Sequence, residues 1–222
     1  MTPSRTRSLA AALLAAVAAF GAAPAAAQAG GHSHSHTHDA PLPASAQGYR
    51  WTAADAHFMT TMIGHHAQAI VMSRLAPTRA ANPQVRTLAE RIINAQQDEI
   101  ATMQQWLRDR KQPVPEVSHG GTVSMAAGAM QHHEHMPGML TEAQLAQLAQ
   151  ARGAEFDRLF LTYMIQHHSG AVSMVEKLFG SWGAGQDEAV FKFASDVNVD
   201  QATEIARMQR MLAAVVFGAP AP

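Results

Sequence analysis

The 222-residue chain contains no cysteine, which excludes disulfide bonds and thiolate metal ligands. Aromatic residues make up only 6% of the chain, with 2 Tyr, 3 Trp and 8 Phe, and only 15% of the residues are charged. The formal net charge of −1 gives the chain no basic excess with which to bind nucleic acid or an anionic membrane surface. His and Met, in contrast, each occur 13 times. Any soft-metal site must therefore use imidazole and thioether groups.

Sequence signatures of common enzyme classes are also missing. The chain has no Gly-rich phosphate loop, no nucleophile elbow and no HExxH zinc-protease motif. A di-iron bundle requires Glu-x-x-His on its helices, and none of the predicted helices carries that spacing. No catalytic constellation is recognised, so the protein is not expected to be an enzyme.

The N-terminal residues 1–27 have the features of a secretory signal peptide. Arg5 and Arg7 precede an apolar run at residues 9–20, and three Ala at 25–27 supply a small-residue cleavage site. The run is too short and too Ala-rich to span a bilayer well, although an uncleaved anchor is the alternative. Export to the periplasm would leave about 195 residues, enough for one domain with a hydrophobic core and without membrane insertion.

Residues 28–51 are predicted to be a disordered, His-rich linker. They include HSHSHTHD at 32–39, followed by Pro and Gly residues. Tracts of this composition bind metal without a packed core, and a solvated linker with no metal role is the alternative.

Residues 52–216 contain an internal repeat. DAHFMTTMIGHHAQAIVM at 55–72 matches DRLFLTYMIQHHSGAVSM at 157–174, and QQDEIATMQQWL at 96–107 matches QATEIARMQRML at 201–212. Each copy predicts a helical hairpin: repeat one spans 52–111, a Met/His-rich loop spans 112–140, and repeat two spans 141–216. Strand alternation is not seen, so we predict an all-α protein in which two hairpins pack as a four-helix bundle.

Capping residues predict where the helices begin. The signals are Thr52 with Asp55, Asn82 followed by Pro83, and Thr141 with Gln144. The helix that starts after Thr141 is expected to bend near Gly153 and continue through the second His pair, and the last helix is expected to span about 187–216.

Each copy carries two adjacent His residues with Met one turn before them and six or seven residues after them. Neighbouring residues on a helix point about 100° apart, so the two His of a pair cannot face the same way. Imidazole and thioether groups suit copper, above all Cu(I), and are poor ligands for Mg or Ca. The candidate ligands in the helices are His65, His66, Met62, Met72 and Met103 in repeat one, and His167, His168, Met164, Met174 and Met208 in repeat two.

Other residues could extend this site. The midpoint loop supplies the candidate ligands Met130, His132, His133, His135, Met136 and Met139. Glu99 and Glu204 are candidates to orient the histidines from the partner helices. The alternatives are that the Met residues fill the core and that the His and Glu residues are ordinary hydrogen-bonded side chains.

The repeated motif resembles the hallmark of the ferritin-like family called domain of unknown function 305, F-x-x-x-M-I-x-H-H-x-x-A-[IV]-x-M. The matching residues are Phe58, Met62, Ile63, His65, His66, Ala69, Ile70 and Met72, and then Phe160, Met164, Ile165, His167, His168, Ala171, Val172 and Met174. The likeness covers about 52–216. It implies a four-helix bundle exported to the periplasm, with members linked to copper binding and resistance.

We therefore expect a periplasmic copper-binding protein that sequesters or transfers copper, with Cu(I) favoured and Cu(II) bound at the His-rich tracts. A periplasmic copper exporter or chaperone is the candidate partner. Three alternatives stay open: a metal-dependent oxidoreductase on a ferritin-like bundle, a broad zinc or nickel scavenger, and a purely structural helical module. An oxidoreductase needs an open coordination position and a substrate pocket, whereas thioether ligands predict Cu(I) over Zn(II).

Overall fold

The computed structural model describes residues 51–118, 123–125 and 136–218. The predicted signal peptide, nearly all of the His-rich linker, and the candidate ligands Met130, His132, His133 and His135 lie outside the described residues. The described chain is mostly helical. Its helices are α1 (Ala53–Ser73), α2 (Ala76–Arg79), α3 (Pro83–Asp109), α4 (Glu142–Gln150), α5 (Gly153–Phe179) and α6 (Glu188–Phe217).

The predicted capping residues begin the helices as expected. The Thr52 hydroxyl accepts from Asp55 N at 3.2 Å, and the Asp55 carboxylate accepts from Thr52 N at 2.6 Å. The Asn82 side chain caps α3, and a second reciprocal capping box formed with Thr141 begins α4. These bonds satisfy N–H groups that a helix leaves unpaired at its start.

The expected bend near Gly153 is a complete break. Helix α4 ends at Gln150 and α5 begins at Gly153, with Ala151 and Arg152 extended between them. Gly153 has φ +64, a left-handed conformation that a residue with a Cβ adopts at a cost. The stretch from Thr141 to Phe179 is therefore two helices rather than one.

The expectation of an all-α chain was wrong in the midpoint segment, which contains a small antiparallel hairpin. Strand β1 (Pro115–Val117) pairs with β2 (Val123–Met125), and Pro115 lies opposite Met125. The Gln104 side chain fixes this hairpin to α3 by donating to Pro115 O at 2.8 Å. Strands of three residues are too short to show an alternating hydrophobic pattern, so sequence periodicity missed them.

The two helices that carry the His pairs lie next to each other, as predicted. Helix α1 packs against α3, α5 packs against α6, and α1 contacts α5. The core forms two clusters, and each takes residues from α1, α3, α5 and α6. The second includes most of the buried apolar residues in the first half of α5. Among the described residues, no helix is apolar over a stretch long enough to cross a membrane.

A buried aspartate near the start of each of these two helices ties it to the other repeat. Asp55 of α1 accepts from Gly185 N, just before α6, at 2.7 Å. Asp157, its repeat counterpart on α5, accepts from Asn82 N, just before α3, at 2.8 Å. Both aspartates are buried. These reciprocal bonds fix the position of each His-bearing helix against the opposite hairpin.

Candidate metal centre

The four predicted histidines are fully buried where α1, α3, α5 and α6 meet. His65 on α1 and His167 on α5 contact each other, with ring centroids 3.9 Å apart and ring planes tilted by 39°. Their neighbours turn away: His66 reaches Glu99 on α3, and His168 reaches Glu204 on α6. The structure thus brings one histidine of each pair together and directs the other to its own hairpin partner.

The contacts of His66 with Glu99 and of His168 with Glu204 have the same length but different geometry. His168 Nε2 lies 2.7 Å from Glu204 Oε2 and donates a hydrogen bond to it. His66 Nε2 is also 2.7 Å from Glu99 Oε2, but the atoms are too poorly aligned for a hydrogen bond. Both glutamates therefore lie where the sequence placed them, beside a histidine. Only the repeat-two pair is fully formed.

The hydrogen bond made by the His65 ring determines which of its nitrogens carries the lone pair. Its Nε2–H donates to the carbonyl of Pro137 at 3.0 Å, so the lone pair of the neutral ring is on Nδ1. Nδ1 has no hydrogen-bond partner among the described residues. Burial, followed by electrostatic repulsion from His66, lowers the pKa of His65 to about 3. The ring is therefore neutral, as a metal-binding imidazole must be.

His167 is the most unusual of the four. Within the described part of the chain, neither of its ring nitrogens has a hydrogen-bond partner. Burial lowers its pKa well below the usual value, and repulsion from His65 and His168 adds to this shift. An interaction with the His65 backbone opposes the shift, but it lacks the geometry of a hydrogen bond. Leaving such groups unpaired costs about 1–3 kcal/mol each, so a role beyond packing is indicated.

The thioethers of the helical candidates are all buried in the core, and they divide evenly between its two clusters. The first cluster contains Met62, Met103 and Met174, and the second contains Met164, Met208 and Met72. Each set takes two residues from one repeat and one from the other. Their burial is consistent with core packing and with ligation of a soft metal.

Of the loop candidates, Met136 and Met139 are described, and both are half-buried. They belong to residues 136–140, here called the strap, which crosses α1 and α5 beside the histidines. The Gln68 side chain clamps the strap by accepting from Leu140 N at 2.7 Å and donating to Leu140 O at 3.1 Å. Gln166 donates to Gly138 O at 3.3 Å. The strap therefore covers the His65 ring.

Sequence reasoning did not identify the residues that hold the strap, although the repeat contained a signal. Gly64 and Gln68 of repeat one correspond to Gln166 and Gly170 of repeat two, so Gly and Gln exchange places. Each Gln clamps the strap. Gly170 leaves room for Pro137, and Gly64 faces Met136. This exchange marks the positions where the strap breaks the symmetry of the repeat.

The histidines alone do not form a site for a hard metal ion. Among the residues that the structure describes, no three His, Asp or Glu side chains converge as a metal site. What the site offers is two contacting neutral imidazoles with unpaired nitrogens, and buried thioethers one helical turn before them at Met62 and Met164. This donor set fits a soft ion such as Cu(I).

Several proteins of known structure are similar to this chain. The chain is similar to a Streptomyces coelicolor protein described as a candidate secreted member of the domain of unknown function 305 family, with 29% identity, a TM-score of 0.61, and coverage of 76% of this chain and 96% of that one. It is also similar to CopM, solved in a Cu(II)-bound form, with 31% identity, a TM-score of 0.55, and coverage of 71% and 95%. CopM has also been solved bound to Cu(I), and there the identity is 29% and the TM-score 0.53, with coverage of 73% and 96%.

A shorter match is to an uncharacterised protein of Acanthamoeba polyphaga mimivirus, 40% identical over 57 residues. That match spans 26% of this chain and 38% of the viral protein. The model of the family named domain of unknown function (DUF305) matches residues 55–212, which include both copies of the repeat. The chain is therefore a member of the DUF305 family.

Proposed function

We propose that this protein binds copper in the periplasm, favours Cu(I), and sequesters it or hands it on through His and Met ligands. The observation that carries the proposal is the contact between His65 and His167, two buried imidazoles whose depressed pKa values keep them neutral. The copper-bound forms of CopM support the choice of metal. The signal-like N-terminus and the similarity to a candidate secreted protein support the location.

The proposal includes a ferritin-like four-helix arrangement, in which α1 and α5 present the two inner histidines to each other. Because both rings are already neutral, copper binding there releases no imidazole proton near neutral pH. Glu204 holds the Nε2 side of His168 and leaves Nδ1 for other partners. The thioethers need no deprotonation, and they bias the site toward Cu(I) and against Zn(II).

The first experiment is an anaerobic Cu(I) titration against a chromophoric competitor, using the mature protein. Replacing His65, His66, His167 and His168 together by Ala should weaken the tightest site by more than the roughly 10–100-fold that loss of a supporting partner costs. Circular dichroism of each variant checks that the helices remain. A folded quadruple variant with wild-type affinity and stoichiometry would show that the His pairs are structural.

The thioether contribution needs a matched pair of variants. Met164→Leu removes a candidate ligand from the second cluster, whereas Met211→Leu removes a buried Met of the same cluster that is not a candidate. Met and Leu are close in volume, so each change should cost less than about 1.5 kcal/mol of stability. Cu(I) affinity should fall only in Met164→Leu. Equal affinities in the two variants would assign Met164 to core packing.

Measurements on the same protein preparation also test the two alternative functions, a metal-dependent oxidoreductase and a broad zinc or nickel scavenger. The proposal predicts a tightest site selective for Cu(I) over Zn(II) and Ni(II), because thioethers bind the latter two poorly. A tightest site that prefers Zn(II) would favour the scavenger. Catalytic turnover of the copper-loaded protein with a reductant and oxygen would favour the oxidoreductase.

A further inference from the structure

The strap separates the buried histidines from a cavity of about 400 Å³ at the protein surface. One residue takes part in both. The carbonyl of Pro137 accepts from His65 Nε2, and Pro137 also lines the cavity. Moving Pro137 would therefore break the only hydrogen bond that His65 makes through its ring among the described residues, and would connect the cavity to the ring.

The wall of this cavity carries soft donors from three parts of the chain. Met136 comes from the strap, Met174 from α5 and His57 from α1, and much of the remaining lining is apolar. Met174 is 7% exposed, whereas its repeat counterpart Met72 is fully buried. Lys177 also lines the cavity, and its long flexible chain lets the charge turn toward water. The two copies of the repeat therefore differ at the position where Met174 reaches the cavity wall.

We propose that this cavity is an outer binding site for a soft monovalent cation, held by the thioethers of Met136 and Met174 beside His57, and that the strap is the gate between it and the His65–His167 pair. The inference rests on the proposed copper-binding function and adds a route to it. Thioethers select soft ions and ignore protons and hard cations, so the outer site admits Cu(I) and Ag(I). Opening the strap then passes the ion to the neutral imidazoles.

In the closed position the backbone of the strap lies directly against the backbone of α5. A Cβ added at Gly170 would lie 1.9 Å from Pro137 O and 2.8 Å from the Cα of Gly138. No rotamer change relieves such an overlap, because the clashing atoms are backbone. Gly138 itself has φ +77, and a Cβ there would lie 2.5 Å from Gln166 O. The strap can cross α5 at this point only because both residues are glycine.

Gly170→Ala is therefore a variant that forces the strap away from α5. The substitution is within a helix interior, where Ala is a better helix former than Gly, so α5 itself should persist. Gly64→Ala is the matched control on α1. A Cβ at Gly64 meets only the flexible end of Met136, at 3.7 Å, which is ordinary van der Waals contact.

The experiment measures Cu(I) loading by stopped flow from a weak coloured Cu(I) chelate, with equilibrium stoichiometry and amide hydrogen exchange of residues 136–140 recorded beside it. Gly170→Ala should lose strap protection and load about tenfold faster, the change that roughly 1.4 kcal/mol produces. Gly64→Ala should load like wild type. Met136→Leu with Met174→Leu should load more slowly and bind one fewer weak ion.

Each contrary outcome overturns a defined part of the inference. Wild-type loading in Gly170→Ala despite loss of strap protection would show that the strap is not the barrier. Retained strap protection would refute the premise that the contact between Gly170 and Pro137 positions the strap. Full stoichiometry and wild-type loading in the double Met variant would remove the outer site. If the wild-type protein binds no Cu(I), the proposed function itself fails. Normal equilibrium binding with unaltered rates refutes only the gated route.

Discussion

The buried inner histidines should make the metal-free protein lose stability in mild acid. His65 has a folded-state pKa of about 3, lowered from 6.5, and the pKa of His167 is also well below 6.5. As the pH falls below 6.5, the unfolded chain binds protons at both positions while the folded protein does not. Stability contributed by the neutral rings is therefore lost as the pH falls from 6.5 toward the folded-state values.

The size of this loss follows from the unfolded-state pKa. One pH unit below that pKa, protonation of each histidine in the unfolded chain lowers the free energy of unfolding by about 1.4 kcal/mol. The two histidines together therefore lower it by about 3 kcal/mol between pH 7.5 and 5.5. The perturbation that isolates this effect is the double variant His65→Leu with His167→Leu. It keeps similar side-chain volumes and removes both protonation sites.

The assay is urea unfolding of both proteins in the presence of a copper chelator, at several pH values, followed by circular dichroism. The free energy of unfolding of wild type minus that of the variant should fall by about 3 kcal/mol from pH 7.5 to pH 5.5. A difference that stays flat across this range would show that the folded protein protonates these rings as readily as the unfolded chain. The burial argument would then be refuted.

Other perturbations test the remaining contacts. Asp55→Ala should lower the free energy of unfolding by about 1–3 kcal/mol for each N–H it leaves unpaired, and by more than Asp157→Ala, because Asp55 also closes the α1 capping box; urea unfolding would measure this. Glu204→Ala should weaken Cu(I) binding about 10–100-fold and more than Glu99→Ala, since only the Glu204 contact is a formed hydrogen bond; equal losses in competitive titrations would contradict this. Deleting residues 28–50 should reduce the number of copper ions bound, counted by elemental analysis, while leaving the tightest affinity unchanged; loss of that affinity would place the main site in the linker.

The sequence predicted well where the helices begin, because the capping signals that set these positions are local. Thr52 and Thr141 each have a reciprocal partner three residues later, so the capping box is readable without any tertiary information. The repeat also predicted that the two His-bearing helices are neighbours. The break before Gly153 was harder to foresee, since it depends on a left-handed backbone at one residue.

The hairpin and the strap were not predicted because they depend on contacts between distant parts of the chain. The strands of the hairpin are three residues long, and a single bond from Gln104 anchors them to α3. The strap crosses α5 where Gly138 and Gly170 touch, an approach that no local pattern encodes. The exchange of Gly and Gln between the two repeats is readable, but its meaning emerges only once the strap is seen.

The site itself was partly readable from sequence. The motif identified all four histidines, and helical geometry predicted that the members of each pair point in different directions. Helical geometry did not reveal which histidine of each pair meets its counterpart. In the structure His65 contacts His167, whereas His66 lies beside Glu99 and His168 beside Glu204. Nor did helical geometry show that each core cluster mixes Met residues from both repeats, because that arrangement arises only when the hairpins pack together.

The most direct test of the copper-binding account is an anomalous-difference map of crystals of the mature protein loaded with Cu(I) under anaerobic conditions. The account predicts a strong copper peak within bonding distance of His65 or His167, about 2 Å from a ring nitrogen, with at least one Met sulfur beside it. Copper peaks found only at surface histidines or in the N-terminal tract, with His65 and His167 still in contact and unligated, would contradict it.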